Sequence, residues 1–223
     1  MEGVVSVLPS KTYQLHTTRS WDSLGFSEAM KRKLVKESDV IIGILDTGIW
    51  PEFESFKDEG FRPPPKKRKG IFQTDGNFTC NNKVIGARFY NGPGAKESST
   101  RDSEGHGSHI ASTVAGRSVE GVRLCKGCSS ICKDCEVQVD ILSISLGPAG
   151  ASNYSSDSLA IGAFQAMLRG ILTSQSASNL GPGGRSIVSV APRVFSAAAS
   201  GIDHHIITKA IMGDNNTFEV FKF

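Results

Sequence analysis

The stretch DVIIGILD, residues 39–46, decides the fold. It is an apolar run between two aspartates, and such a run is typical of a strand that is buried on both faces. Strands of this kind belong to parallel sheets, whose faces are both covered by helices. Thr47 and Gly48 then turn the chain sharply, and the segment IWPE leaves in a loop. The stretch therefore predicts an α/β fold in which Asp46 closes a buried strand.

Two further stretches predict helices beside this sheet. HGSHIASTVAG, residues 106–116, predicts a helix that ends at Gly116. Its inward side chains are Ile110, Ala111 and Ala115. A second helix begins at a cap, Ser156 or Asp157, and extends to about Arg169. Its apolar stripe consists of Leu159, Ala163, Ala166 and Met167.

Four more stretches predict strands: DILSISLG at 140–147, ILTSQSA at 171–177, SIVSVAP at 186–192 and RVFSAAAS at 193–200. The first two enclose the second helix and form a βαβ unit, for which a right-handed crossover is expected. The predicted class is α/β, with a mostly parallel sheet and flanking helices.

Composition excludes several function classes. The 223 residues suit one large domain or two small ones, and a net charge of +3 is too weak to indicate nucleic-acid binding. No apolar run approaches the roughly 18 residues that a membrane span needs. The start of the chain, MEGVVSVLPS, lacks the charged and apolar regions of a signal peptide. The basic segment FRPPPKKRKG, residues 61–70, predicts a solvated polyproline loop.

A cysteine cluster, CKGCSSICKDC, stands in the middle of the chain. Its thiols belong to Cys125, Cys128, Cys132 and Cys135. Paired C-x-x-C steps are typical of zinc or iron–sulfur ligation, but only three residues separate these pairs, which is tight for a tetrahedral site. A cysteine-rich loop, with its thiols free or oxidised, is the alternative, and both interpretations stay open.

Three polar residues are expected at the carboxyl ends of strands, where open α/β sheets place their ligands and catalytic groups. They are Asp46, His106 and Asn179. A carboxylate that accepts a hydrogen bond from one imidazole nitrogen fixes the tautomer, and the other nitrogen can then take a proton from a hydroxyl nucleophile. An exposed amide can donate to a developing oxyanion. Taken singly, each residue also fits a turn or loop role.

The segments VIIGILDTGIWPE, DSEGHGSHIASTVAG and SASNLGP together resemble the subtilisin-like serine proteases, or subtilases, and the plant type most of all. The resemblance implies a subtilisin-like, doubly wound sheet, here incomplete, and a serine endopeptidase that acts on polypeptides without a cofactor. It implies that Asp46 is the triad aspartate, His106 the general base and Asn179 the oxyanion donor. His109 is similar to a family histidine outside the triad.

The resemblance also implies a substrate-binding segment and a location. Ser145, Leu146 and Gly147 are similar to the family segment that pairs with the substrate backbone as an added strand. The resemblance implies an extracellular protein of the cell wall or apoplast. No membrane or nucleic-acid partner is expected, and the oligomeric state is left open.

The expected domain boundaries follow from the same resemblance. Residues 1–16 are similar to the C-terminal tail of the family's inhibitory propeptide, and residues 17–223 to a partial peptidase domain that ends before the protease-associated insertion. Nothing in the chain resembles the G-T-S-M-x-x-P segment that carries the family's nucleophile. We therefore expect a truncated product that lacks the catalytic serine.

Two internal departures from the family pattern carry structural expectations. Between Gly116 and Asp140 the cysteine-rich segment replaces a strand and a helix of the family, so we expect the sheet to lack a strand and to leave an edge exposed. Ser178 stands where the family has glycine, so we expect strain in the loop that presents Asn179.

Three functions are compatible with these observations. The first is a serine endopeptidase by descent, which is inactive as this chain alone. The second is a non-catalytic pseudo-protease that binds peptides or a protein partner. The third is a metal-binding module formed by the cysteine cluster.

Overall fold

The computed structural model describes residues 24–25, 39–64, 78–90, 99–117, 119, 130–132, 139–147, 150, 153–199, 207–212 and 216–221. The chain forms two compact units: Lys31–Ala198, and Met1–Met30 together with Ala199–Phe223. The proposed propeptide tail, residues 1–16, lies outside the described residues. So do Cys125, Cys128 and Cys135.

The larger unit is built around a parallel sheet of six strands. Their bounds are β1 Ile41–Leu45, β2 Val84–Gly86, β3 Ser130–Cys132, β4 Ile141–Ile144, β5 Leu172–Ser176 and β6 Phe195–Ala197. Their order across the sheet is β2-β3-β1-β4-β5-β6, and each neighbouring pair is parallel. The predicted α/β class with a parallel sheet and flanking helices is confirmed.

Two helices accompany the sheet, close to their predicted bounds. Helix α1 spans His106–Ala115 and is followed by Gly116, and α2 spans Ser158–Leu168. Asp157 caps α2 by accepting the Leu159 N–H at 2.9 Å, which decides between the two predicted caps. The described helices include none that is long and apolar enough to cross a membrane.

The alternation of side chains along β1 divides the core between the two faces of the sheet. One face holds a cluster in which β1 and β2 side chains pack with α1; its buried members include Ile42, Ile44, Phe56, Val84, Ala111 and Ala115. The other face holds a smaller cluster of Ile41, Ile85 and Val139, against which Ile171 packs. β1 is therefore covered on both faces, as its continuous apolar run predicts.

The amino end of β1 is fixed by a carboxylate. Asp140, the residue before β4, accepts the Ile41 N–H through Oδ2 at 2.8 Å, and its own N–H donates to the Ile41 carbonyl at 2.8 Å. These two bonds set the register in which Ile42 lies opposite Ile141 and Leu45 opposite Ile144. The two strands consequently end side by side.

Two expectations about strands were wrong. The cysteine-rich segment does supply a strand, since Ser130–Cys132 lies between β1 and β2 and pairs with both. Residues 186–192 form no strand, although Val188 N–H donates one bond to the Ala177 carbonyl at 3.0 Å. The physical reason is that β5 already pairs with β4 on one edge and with β6 on the other, which leaves no edge for this segment.

The second unit contains an antiparallel pair of strands that the sequence patterns did not indicate. Strand β7 spans Ile207–Ile211 and β8 spans Thr217–Phe221, with Ile207 opposite Phe221. The Met212 N–H donates to the Asn216 carbonyl at 2.9 Å and closes the end of the pair.

The core packing predicts unequal effects for two neighbouring phenylalanines. Phe56 is 0% exposed and belongs to the cluster beneath α1, whereas Phe53 is 51% exposed. Phe56→Ala should therefore lower the free energy of unfolding by about 3–5 kcal/mol, because it leaves a cavity. Phe53→Ala should cost less than about 1 kcal/mol. Urea unfolding measures both, and equal losses would contradict the described core.

Candidate active site

Asp46, Ser145 and Asn179 each lie in a loop that follows a strand of the sheet. Asp46 comes immediately after β1, Ser145 immediately after β4, and Asn179 three residues after β5. Leu45 is the register partner of Ile144, so Asp46 and Ser145 begin their loops at the same edge of the sheet. This edge is the carboxyl end of parallel strands, where α/β proteins place functional groups.

The structure brings Asp46 and His106 into direct contact. His106 Nδ1 lies 2.6 Å from Asp46 Oδ1. The Asp46 side chain is 2% exposed, whereas the His106 side chain is 50% exposed. A carboxylate oxygen accepts hydrogen bonds, so Nδ1 is the donor of this contact, and in the neutral ring Nε2 is then the acceptor.

Asp46 is held by its own loop as well as by the histidine. Oδ1 also accepts the Thr47 N–H at 2.8 Å. Oδ2 is buried and has no hydrogen-bond partner among the described residues. The carboxylate therefore directs its charge-assisted bonding through one oxygen, towards the histidine.

His106 is the first residue of α1, and Gly105 makes that position possible. Gly105 precedes the helix with φ 88°, in the left-handed region that glycine adopts without steric cost. The chain can therefore turn abruptly into the helix and present the imidazole at its N-terminus.

A close backbone contact brings the start of α1 against the loop after β1. A Cβ on Gly107 would lie 2.2 Å from the Gly48 carbonyl oxygen, far inside van der Waals contact. Only glycine at 107 allows the two segments to approach this closely. The glycine after His106 is therefore required for packing, and the glycine before it for the turn.

His109, the second histidine of α1, lies three residues after His106. Burial lowers the pKa of His109 below its usual value, and the charge of His106 lowers it further, while Asp46 opposes the shift. His109 makes no described hydrogen bond to Asp46, in agreement with the expectation that it stands outside the dyad.

Asp102 is a buried carboxylate that the sequence patterns did not single out. Desolvation by burial raises its pKa, but hydrogen bonds from the Ser108 N–H, the Thr47 hydroxyl and the Gly105 N–H outweigh burial and lower the pKa to about 2. The available signal was an aspartate three residues before Gly105, a spacing at which a side chain can accept N–H bonds from the start of a helix.

A cavity of about 180 Å³ lies at the same edge of the sheet. Its lining comes from the loop after β4, the end of β5 with the loop that follows it, and a valine: Ser145, Leu146, Gly147, Ser176, Ser178, Asn179, Leu180 and Val188. The structure thus brings the predicted substrate-binding segment and Asn179 to one cavity. A peptide that extended along residues 145–147 would lie beside the Asn179 loop.

The loop that presents Asn179 contains the expected strained residue. Ser178 has φ 121°, a conformation that non-glycine residues rarely adopt. Its Oγ accepts the Leu180 N–H at 2.8 Å, which stabilises the turn locally. A residue in such a region costs roughly 1–3 kcal/mol, which the surrounding structure must offset.

A metal site is not among the described features. No group of three or more histidine, cysteine, aspartate or glutamate residues could hold an ion within the part of the chain that the structure describes. Of the four clustered cysteines only the backbone of Cys132 is described, as the last residue of β3. The metal hypothesis for Cys125, Cys128, Cys132 and Cys135 stays a prediction.

The fold agrees with the comparison to known protein families. A family model described as the subtilase family matches residues 37–200, which include β1 to β6, α1 and α2. The chain belongs to the subtilase family. The match covers most of the larger unit and all the residues placed at the carboxyl edge.

Individual subtilases of Arabidopsis thaliana are similar to almost the whole chain. Subtilisin-like protease SBT4.3 is 45% identical over 96% of this chain and 33% of its own length. SBT4.9 is 47% identical over 98% of this chain and 34% of its own length. SBT4.10 is 48% identical over 97% of this chain and 35% of its own length. The chain thus spans about a third of the length of the curated relatives that it matches.

The alignments also show internal differences. That to SBT4.9 runs over 252 positions, although this chain has 223 residues in all. The relative therefore contains residues that this subtilase lacks within the aligned region.

Strain at Ser178 predicts a stabilising substitution. Ser178→Gly should raise the free energy of unfolding by about 1 kcal/mol, because glycine adopts φ 121° without the steric cost. Ser176 lines the same cavity from within β5, so Ser176→Gly is the control and should lower stability. Urea unfolding tests both, and a destabilising Ser178→Gly would contradict the strain.

The ionisation of Asp102 predicts a pH-dependent contribution to stability. Its folded pKa of about 2 lies below the ordinary value of 3.8, so ionised Asp102 stabilises the fold above about pH 4. This contribution is lost as the pH falls through about 2. The difference in unfolding free energy between wild type and Asp102→Asn should therefore shrink from pH 6 to pH 2. A difference that is the same at both pH values would contradict this.

Proposed function

We propose that this chain provides the general base, its orienting carboxylate and the oxyanion donor of a serine endopeptidase that acts on polypeptides. The observation that carries the proposal is the 2.6 Å contact between His106 Nδ1 and Asp46 Oδ1 at an otherwise exposed imidazole. Family membership supports the reaction class. The roles of the individual residues are inferred from geometry and from the family pattern.

The proposed chemistry begins with proton transfer to His106. Its Nε2 takes the proton of a serine hydroxyl as the oxygen attacks the peptide carbonyl, and then gives that proton to the leaving amine. Asp46 holds the imidazole in the Nδ1–H tautomer and stabilises the imidazolium that forms. Because Asp46 is almost fully buried, this charge–charge interaction is weakly screened.

The proposed binding of substrate uses the cavity beside β4 and β5. The backbone of Ser145, Leu146 and Gly147 would pair with an extended peptide, which continues the strand pattern beyond Ile144. The Asn179 amide would donate to the tetrahedral oxyanion, an interaction that typically contributes about 3–4 kcal/mol to the transition state.

Domain organisation and location complete the proposal. We assign residues 1–16 to a propeptide tail and residues 17–223 to part of the peptidase domain, and we propose an extracellular location from the resemblance to plant subtilases. Since no segment of these 223 residues resembles the family's serine motif, they should not hydrolyse peptides by themselves.

A chimera tests the proposed role of His106. Residues 1–223 would be joined to the part of SBT4.9 that follows the aligned region, and hydrolysis of peptide substrates would be measured. The chimera should be active, and His106→Ala should lower kcat by about 10⁶, as loss of the base does in subtilisin. His109→Gln is the matched control on the same helix and should stay within about tenfold of the parent.

The isolated chain supplies the complementary measurement. Residues 1–223 should neither cleave peptides nor react with a fluorophosphonate probe that labels activated serines. Labelling of the isolated chain would show a nucleophile that the proposal does not include. An active chimera that is unaffected by His106→Ala would overturn the role of His106.

A further inference from the structure

Asp102 accepts hydrogen bonds from two separate segments that meet at the dyad. Its residue surface is 5% exposed. From the start of α1, Oδ1 accepts the Gly105 N–H at 2.8 Å and the Glu104 N–H at 3.2 Å, and Oδ2 accepts the Ser108 N–H at 2.7 Å. From the loop after β1, Oδ1 accepts the Thr47 hydroxyl at 2.8 Å.

The Thr47 hydroxyl extends this connection in the opposite direction. Its single proton goes to Asp102 Oδ1 at 2.8 Å, which is closer than Asp46 Oδ1 at 3.4 Å, and its lone pairs remain to accept the Gly107 N–H at 2.9 Å. Thr47 follows Asp46, and Gly107 follows His106. One hydroxyl thus joins the residue after the carboxylate to the residue after the imidazole, and Asp102 fixes the direction of that hydroxyl.

We propose that Asp102 is a positioning residue: through the Thr47 hydroxyl and the first turn of α1, it sets the orientation in which His106 meets Asp46. It touches neither reacting atom, and it acts through the residues that carry the dyad. The inference rests on the proposed function in one respect, namely that Asp46 orients His106 as the general base. Its chemical requirement is an ionised carboxylate, because both oxygens must accept.

An Asp102→Asn substitution probes this requirement with little change of volume. The amide keeps one accepting oxygen and replaces the other with an N–H₂ donor. Whichever way the amide turns, that donor faces the Ser108 N–H or the Gly105 N–H and Thr47 hydroxyl, and one side of the network is lost. A role limited to capping α1 would lower stability and leave the dyad geometry unchanged.

The direct readout is the tautomer of His106 in residues 1–223 labelled with ¹⁵N-histidine. Long-range ¹H–¹⁵N correlation distinguishes an Nδ1–H from an Nε2–H ring, at a pH well above the ordinary histidine pKa of about 6.5. Wild type should show the Nδ1–H tautomer. Asp102→Asn should lower the ratio of Nδ1–H to Nε2–H by about fivefold or more, the effect of one weakened hydrogen bond.

The matched control is Asp140→Asn. Asp140 is also a carboxylate that accepts a backbone N–H, that of Ile41 at 2.8 Å, but it lies at the amino end of β1. The Asp140→Asn substitution should destabilise the fold and leave the ratio of His106 tautomers as in wild type. An Asp102→Asn protein that is folded and has the wild-type tautomer ratio would overturn the proposal.

A second pair of variants, at Thr47, tests the positioning role of Asp102 if the Asp102→Asn protein does not fold. Thr47→Val removes the connecting hydroxyl and should shift the tautomer ratio, whereas Thr47→Ser keeps the hydroxyl and should restore it. A Thr47→Val protein with the wild-type ratio would overturn the proposal. A wild-type spectrum without a dominant Nδ1–H tautomer would overturn the Asp46–His106 dyad itself, and the role of Asp102 with it.

Discussion

The contact between a buried carboxylate and a half-exposed imidazole is the constraint on which the site depends. Asp46 can hold His106 in one tautomer because its side chain is almost fully removed from water, where charge interactions are weakly screened. Asp46 directly follows β1, a strand whose apolar side chains are covered on both faces of the sheet. The strand that contributes to both core clusters therefore also places the carboxylate of the dyad.

The second constraint is steric. Helix α1 must start close enough to the loop after β1 for His106 Nδ1 to lie 2.6 Å from Asp46 Oδ1. The backbones at Gly48 and Gly107 therefore approach so closely that residue 107 has no room for a Cβ. The two glycines around His106 serve different purposes: one allows a left-handed turn into the helix, and the other allows contact with the loop. The half-exposed His106 is therefore positioned by the backbone at Gly105 and Gly107 rather than by the packing of its own side chain.

The sequence predicted those features that depend on local patterns. The apolar run of β1, the periodicity of α1 and α2 and the position of Asp46 at a strand end each follow from residues close in the chain. Short strands were harder, since the three residues of β3 pair only because β1 and β2 flank them. Residues 186–192 have strand composition, but both edges of the neighbouring β5 are already paired. Asp102 was missed because the Thr47 hydroxyl that it binds is 55 residues away.

The central claim is that Asp46 orients His106 for proton transfer, and turnover by an Asp46→Asn variant of the SBT4.9 chimera tests it most directly. Asparagine keeps the shape of the side chain but removes its charge, and it allows the imidazole to adopt the wrong tautomer. In this variant kcat should fall by about 10⁴ while KM changes little. A variant whose kcat equals that of the parent chimera would contradict the orienting role of Asp46.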